Sequence, residues 1–308
     1  MTGKNVLIIG NGFDLDLGYL TKYSDFANSL FWPFHGNSSG LEEALVKAIK
    51  IDKWYDIEGI IEQYATRNDT LVRDNSTIAK DKETFSLLCS KLQDYLRHNI
   101  DKKPYFSAYA EQVLTRVIDS NSFVIYTFNY TPLDLFASFM GIERKFEFNY
   151  VHGNLESGII LGVREEAKLR TGYDFLRKTF SHKYQSNQIP YDLQEADNVI
   201  FFGHSLSQND AHYFKSFFKG QMQDNMTRDK SKNILFFTCN EDSELAIKRQ
   251  LSTICDGRLD LLYNHNDIHF ILTSDVGNNN ATTIINEFFD SITISNSGVG
   301  MPYLTKYP

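Results

Sequence analysis

A chain of 308 residues is long enough for a full hydrophobic core, while a formal charge of −8 with scattered Lys and Arg argues against a nonspecific nucleic-acid binder. With 42% hydrophobic and 23% charged residues the chain is not disordered by composition, and no stretch approaches the roughly 20 apolar residues of a membrane span. Cys89, Cys239 and Cys255 lie far apart without a C-x-x-C pair, which excludes a four-cysteine zinc site and a disulfide framework; a reducing, cytoplasmic setting is expected, since the N-terminal apolar run is too short for a signal peptide.

Val6 to Ile9 is short, β-branched and uncharged, and reads as a strand covered on both faces. Gly10-Asn11-Gly12 breaks it and opens a helix near Gly12 to Asp14. Glycines there bring bare N–H groups close to whatever lies above the strand end, and the positive end of the helix points at the same place. The third glycine of the dinucleotide fingerprint is missing, since Leu15 holds its position. A plain strand-to-helix turn with Asp14 as a cap is the alternative.

From about Ser24 to Ser120 the pattern predicts only helices: Leu41 to Ile51, Ile57 to Arg67, Asp81 to Asn99 and Tyr105 to Ile118. In the first, Leu41, Ala44, Leu45, Ala48 and Ile49 share one face; in the third, Phe85, Leu88, Leu92 and Leu96 do. Arg67 to Lys82, rich in Asn, Asp, Thr and Ser, reads as holding a loop. Trp54-Tyr55-Asp56-Ile57-Glu58 reads as a core aromatic before a capped helix start, with a lid contacting substrate as the alternative.

Beyond residue 120, buried strands are predicted at Phe123 to Tyr126, Phe148 to Val151, Val199 to Phe202, Ile234 to Phe237 and Ile268 to Leu272, with Ile159 to Leu161 a short extra. Helices at Pro132 to Met140, Asn209 to Lys219 and Glu241 to Thr253 alternate with them, and Glu165 to Gln188 reads as a smaller helical excursion. This alternation predicts an α/β fold, a doubly wound, mostly parallel Rossmann-like sheet with a helical insertion after the first strand. One domain over 1–308 is expected, with its core at about 1–23 and 121–294, the insertion at about 24–120 and a surface tail from Ser295 to Pro308.

Each strand end carries polar residues: Thr127-Phe128-Asn129-Tyr130-Thr131, His152-Gly153-Asn154, Gly203-His204-Ser205-Leu206 with Asp210 following, and Thr238-Cys239-Asn240-Glu241. A parallel sheet places all of these on one edge, where ligands of such folds collect. Taken singly, Asn129, Ser205 and Asn240 also read as helix caps and His152 as a satisfied core histidine.

Together with Gly10-Asn11-Gly12-Phe13-Asp14-Leu15, Thr21-Lys22-Tyr23-Ser24-Asp25-Phe26 and Asp56-Ile57-Glu58 after Trp54, these motifs resemble the AbiH family of bacterial abortive-infection, anti-phage proteins, over the chain from the first strand to about residue 255. That family is in turn distantly similar to the SIR2 superfamily, whose loops bind NAD on a SIR2/DHS-like variant of the same sheet. The resemblance implies that Gly10, Asn11 and Gly12 cradle the NAD phosphates with neighbouring Phe13 and Asp14, that Gly18 matches a later glycine of that loop, and that Asn129, after Thr127, sits beside the nicotinamide ribose. It implies His152 as general base and Gly203, Ser205 and Asn240 on the adenosine side, with His204, Asp210 and Glu241 among the cofactor-binding residues. Three residue departures stand out. Asp14 occupies a position where sirtuins usually carry serine, Thr131 one where their Thr-x-Asn-x-Asp motif carries aspartate, and Leu20 one where they carry proline; the zinc cysteines are absent, so no zinc is expected.

Cleaving NAD at the nicotinamide bond requires an oriented ribose and a water, because nicotinamide leaves readily and the ribose develops oxocarbenium character. An asparagine amide can hold a ribose hydroxyl, and a neutral histidine near its ordinary pKa of about 6.5 can take the water's proton. The resemblance therefore implies an anti-phage effector consuming NAD as substrate. Alternatives are a nucleotide-binding sensor without turnover, and a nuclease gathering a divalent metal on Asp14, Asp210 and Glu241. Expected partners are a small-molecule nucleotide and a second copy of the chain or a defence-system protein; the insertion is the expected place for oligomer contacts or recognition of a phage product.

Overall fold

The computed structural model describes residues 4–35, 40–51, 56–66, 74–100, 109–141, 147–223, 231–275 and 277–297. Trp54, Tyr55, the first residues of the helix expected from Tyr105 and the tail beyond Ser297 lie outside these. β1 (Lys4–Ile9) leads to six helices: α1 (Asn11–Asp16), α2 (Tyr23–Ala27), α3 (Leu41–Ile51), α4 (Ile57–Thr66), α5 (Asn75–Ile100) and α6 (Tyr109–Ser120). Then come β2 (Phe123–Thr127), α7 (Leu133–Phe139), β3 (Phe148–Tyr150), β4 (Gly153–Asn154), β5 (Gly158–Ile159), α8 (Ile189–Glu195) and β6 (Ala196–Phe202). α9 (Ala211–Gly220), β7 (Asn233–Thr238), α10 (Glu241–Ile254), α11 (Leu259–His265), β8 (Asp267–Leu272) and α12 (Asn279–Ser297) complete the chain.

Six strands form one sheet in the order β3-β2-β1-β6-β7-β8, and every pairing is parallel. Counted along the chain this is 3-2-1-4-5-6, the doubly wound order whose direction reverses beside β1, so the crevice between β1 and β6 is the switch point. β1 alternates between two buried layers: Leu7 and Ile9 belong to one with the helices of 11–120 and α12, Val6 and Ile8 to the other with α8, α9 and α10. Burial on both faces explains the unbroken apolar runs. Phenylalanines reinforce the strand register: Phe201 stacks on Phe236 at 4.9 Å, Phe236 on Phe270 at 4.8 Å, and Phe202 on Phe237 at 4.5 Å on the opposite face. Polar residues near the opposite strand ends pair across four neighbours, with Asn233 donating to Asn198, Asn198 to Asn5 and Asn5 to Ser122 at 2.8–2.9 Å.

Three expectations are corrected. The Ile159 strand joins no part of the main sheet, because Gly158–Ile159 pairs antiparallel with Gly153–Asn154 in a small hairpin. Part of the predicted loop up to Lys82 is helix: α5 starts at Asn75, where Asp74 Oδ1 accepts from the Thr77 N–H (2.7 Å) and Ser76 Oγ (2.9 Å) and so supplies a cap. Glu165 to Gln188 holds only two short 3₁₀ turns, Asp174–Leu176 and Lys178–Phe180. Gly162 at φ +157° and the bridge between Val163 and Arg177 turn that segment into a packed loop over α4 and α5.

Candidate active site

At the switch point the sheet's carboxyl edge opens into a cleft of about 670 Å³, within the range of small-molecule sites. Its floor is two glycine turns in backbone contact. A Cβ on Gly12 would stand 2.6 Å from Gly203 Cα, and one on Gly203, whose φ is +63°, 2.4 Å from Gly12 Cα. The contact is also hydrogen bonded: the Gly10 N–H donates to Phe202 O (2.9 Å) and the Gly12 N–H to Gly203 O (3.0 Å). These glycines line the cleft, but their N–H groups serve the β1–β6 junction, which corrects the expectation of bare donors above the strand end. Asn11 is exposed, and its Oδ1 accepts from Thr21 Oγ1 at 2.6 Å.

Asn129 projects from the end of β2, since the Phe128 N–H still continues the ladder to Ile9 O (2.9 Å) before the chain turns. Its Nδ2 donates to Gly10 O (3.0 Å) and Asp14 Oδ1 (2.8 Å), which fixes the amide and leaves Oδ1 as the group that can meet a ligand. Asn129 thus caps no helix. Two of the departures from the sirtuin pattern contact each other, Thr131 Oγ1 donating to Asp14 Oδ2 at 2.8 Å. Burial pushes the Asp14 carboxyl up to about 7 despite these bonds from Thr131 and Asn129.

His152 lies just beyond β3 and is buried against the edge of Phe128, ring centroids 5.2 Å apart. Its Nε2 stands 3.0 Å from Asp210 Oδ1 and 3.3 Å from the Lys178 ammonium; its Nδ1 is buried without a hydrogen-bond partner. Lys178 reaches Glu58 Oε2 at 3.1 Å and Asp210 Oδ1 at 3.4 Å. Glu58 also accepts from the Gly162 N–H (3.2 Å) and Asn209 Nδ2 (3.3 Å). Burial works against the charged form of Asp210, but Lys178 and His152 outweigh it and hold that carboxyl well below the usual range. Burial likewise opposes the Lys178 charge, and Glu58 and Asp210 reverse the balance and raise its pKa. Burial and the nearby Asp210 charge push Glu58 up. With Asp210 ionised and the Lys178 protons shared between two carboxylates, the ring proton belongs on Nε2 and the free lone pair on Nδ1.

His204 also lines the cleft but is committed to structure. Its Nδ1 accepts the Leu206 N–H at 3.0 Å, stabilising Leu206 at φ +52°, and burial lowers its pKa to about 4. Ser205 and Asp210 line the cleft, as does Asn240, which caps α10 by accepting the Ser243 N–H at 3.0 Å. Four expected residues do not line it. Phe13 is core, edge-on to Phe202 (5.2 Å) and Phe136 (6.1 Å); Gly18 closes α1 at φ +82°; Thr127 is wholly buried, its Oγ1 accepting the Asn129 N–H (3.1 Å); Glu241 is exposed on the first turn of α10. Asp14, Asp210 and Glu241 therefore do not converge, and among the described residues no three His, Cys, Asp or Glu are grouped to hold a metal.

Lys178, Tyr23 and Tyr130 were not among the expected site residues, and Glu58 entered only within the alternative lid reading, yet all four line the cleft. Asp56, whose Oδ1 accepts the Gly59 N–H at 3.0 Å, caps α4 as expected, while Glu58 in the first turn of α4 faces the cluster. Tyr23 and Tyr130 hydrogen bond to each other; burial, with Glu58 among the nearby charges, holds both phenols well above their ordinary pKa.

An all-parallel doubly wound sheet with a cleft at its switch point defines a Rossmann-like α/β protein. The family profile described as bacteriophage abortive infection AbiH matches residues 6–229. The chain belongs to the AbiH family, and its role falls within phage abortive infection. No curated protein matches it. Among the described residues no helix is long and apolar enough to cross a membrane.

Proposed function

We propose that the protein is an abortive-infection effector that binds NAD in this cleft and hydrolyses its nicotinamide–ribose bond. The observation that carries the reading is His152, which lines the same cleft as Asn129 with Nε2 against an ionised Asp210 and Nδ1 unpartnered. In the reaction the C1′–N bond breaks with its electron pair going to nicotinamide, and water adds to C1′. The water's proton passes to His152 Nδ1, and ADP-ribose and nicotinamide are released. Base assistance of this kind contributes about 10²- to 10⁴-fold. Asn129 Oδ1 accepts a ribose hydroxyl proton and orients the sugar, a role consistent with Nδ2 being held by Gly10 O and Asp14. The carboxylates of Asp210 and Glu58 favour the positive charge that develops on the ribose.

The test is nicotinamide release from NAD by the purified full-length chain, with and without extract of phage-infected cells, alongside Asn129→Ala and His152→Ala. Release that both substitutions reduce at least 100-fold supports the reading. Wild-type silence under both conditions sinks it.

A further inference from the structure

We propose that Lys178 is a positioning residue for this cleavage, its ammonium orienting Asp210 and His152 and tying them to Glu58 of α4. The inference rests on the NAD-cleaving reading and extends it to a residue on a loop that sequence periodicity did not single out.

Three contacts carry it. The Lys178 ammonium lies 3.1 Å from Glu58 Oε2, 3.4 Å from Asp210 Oδ1 and 3.3 Å from His152 Nε2, and the residue is buried. An amine taken out of water at such a cost is retained only where anions on several sides hold it. The backbone keeps it in place, the Lys178 N–H donating to Val163 O at 3.2 Å while the Val163 N–H donates to Leu176 O at 2.8 Å. Lys178 keeps Asp210 an acceptor for the imidazole N–H, so the ring presents Nδ1 as its basic atom. Because its ammonium is paired with Glu58 and Asp210, Lys178 acts through its neighbours and not on the substrate.

The charged and titratable groups facing it are Glu58 from α4, Asp210 before α9 and His152 after β3, with His204 and His212 behind Asp210 and Tyr23 and Tyr130 beside Glu58. Removing the ammonium leaves two carboxylates to stabilise an added proton on the cluster. The acidic limb of the pH–rate profile then moves to higher pH, a change that loosened packing alone does not produce.

Nicotinamide release is to be measured across pH 5–9 for the wild type, Lys178→Met, Lys178→Arg and Glu58→Gln, each normalised to the folded fraction from circular dichroism. Lys178→Met is expected to lower kcat about 10- to 100-fold, to leave KM for NAD within about twofold and to shift the acidic limb upward. Lys178→Arg should recover part of kcat, and Glu58→Gln, the milder change if Lys178→Met fails to fold, should lower kcat less and move the acidic limb the opposite way, to lower pH, because it removes a negative charge. An unchanged kcat and profile in an active background overturns the inference while the NAD reading stands. A raised KM at constant kcat overturns it too, since Lys178 would then be a ligand contact. A silent wild type removes both.

Discussion

Asp14→Asn is expected to stabilise the protein at alkaline pH and to do nothing at acid pH. The carboxyl is 2% exposed, and burial raises its pKa from 3.8 to about 7. Because the folded-state value stands above the unfolded one, the native state holds this proton more tightly. The contribution is complete below 3.8, declines above it and is gone once pH passes about 7. A shift of about three units corresponds to about 4 kcal/mol lost between those limits. An asparagine at 14 keeps one oxygen for Asn129 Nδ2 and offers its own amide protons to Thr131 Oγ1, so the local bonds survive without a charge to bury. Urea unfolding at pH 4, 6 and 8 should show wild type and variant converging at pH 4 and the variant ahead by about 1–3 kcal/mol at pH 8. A difference that does not change with pH refutes the assignment of a titrating, buried Asp14.

Two further outcomes follow from the scaffold. Asp81 is buried and accepts from the Leu41 N–H (2.8 Å), Tyr64 Oη (2.6 Å) and Tyr173 Oη (2.5 Å), so Asp81→Ala removes one shared acceptor of three hydrogen bonds and should cost about 2–4 kcal/mol in urea unfolding, with Asp81→Asn costing less. Gly203→Ala should destabilise more than Gly12→Ala, by about 1 kcal/mol, because the two share one tight contact but only Gly203 has a positive φ, +63° against no left-handed turn at Gly12; equal losses would mean that the steric contact alone matters.

The sheet was legible because burial on both faces writes itself into each strand as an unbroken apolar run, as in Val6–Ile9 and Ile234–Phe237. Helices with a clear apolar stripe were legible too, and α3 has the bounds expected, Leu41–Ile51. Polar starts were not: Asp74-Asn75-Ser76-Thr77 has the composition of a loop, yet its hydrogen bonds make it a helix cap. At the site, residues attached directly to strand ends could be placed, since a parallel sheet fixes where they go. Asn129, His152, Ser205, Asp210 and Asn240 all line the cleft for that reason. Lys178 and Glu58 could not be placed, because each arrives from a segment whose path depends on tertiary packing. The buried lysine had one sequence signal, two acidic residues elsewhere needing a cation, and that signal does not say which of 31 Lys and Arg supplies it.

The charge in the cleft bears on which end of a dinucleotide would occupy which end of the site. Its ionisable lining holds Asp14, Asp56, Glu58 and Asp210 against Lys22 and Lys178, so it is acidic, and the excess gathers around His152, where one ammonium serves both Glu58 and Asp210. Asp14 is a weaker obstacle to a diphosphate than its sequence position suggests, because burial favours its neutral form and its oxygens accept from Asn129 and Thr131. An anion placed beside His152 would meet two carboxylates in a poorly solvated pocket, whereas a cationic pyridinium and the ribose cation formed on its departure would be favoured there. Under the proposed reading the scissile bond therefore belongs at the His152 end, and the phosphates away from the Glu58 and Asp210 carboxylates.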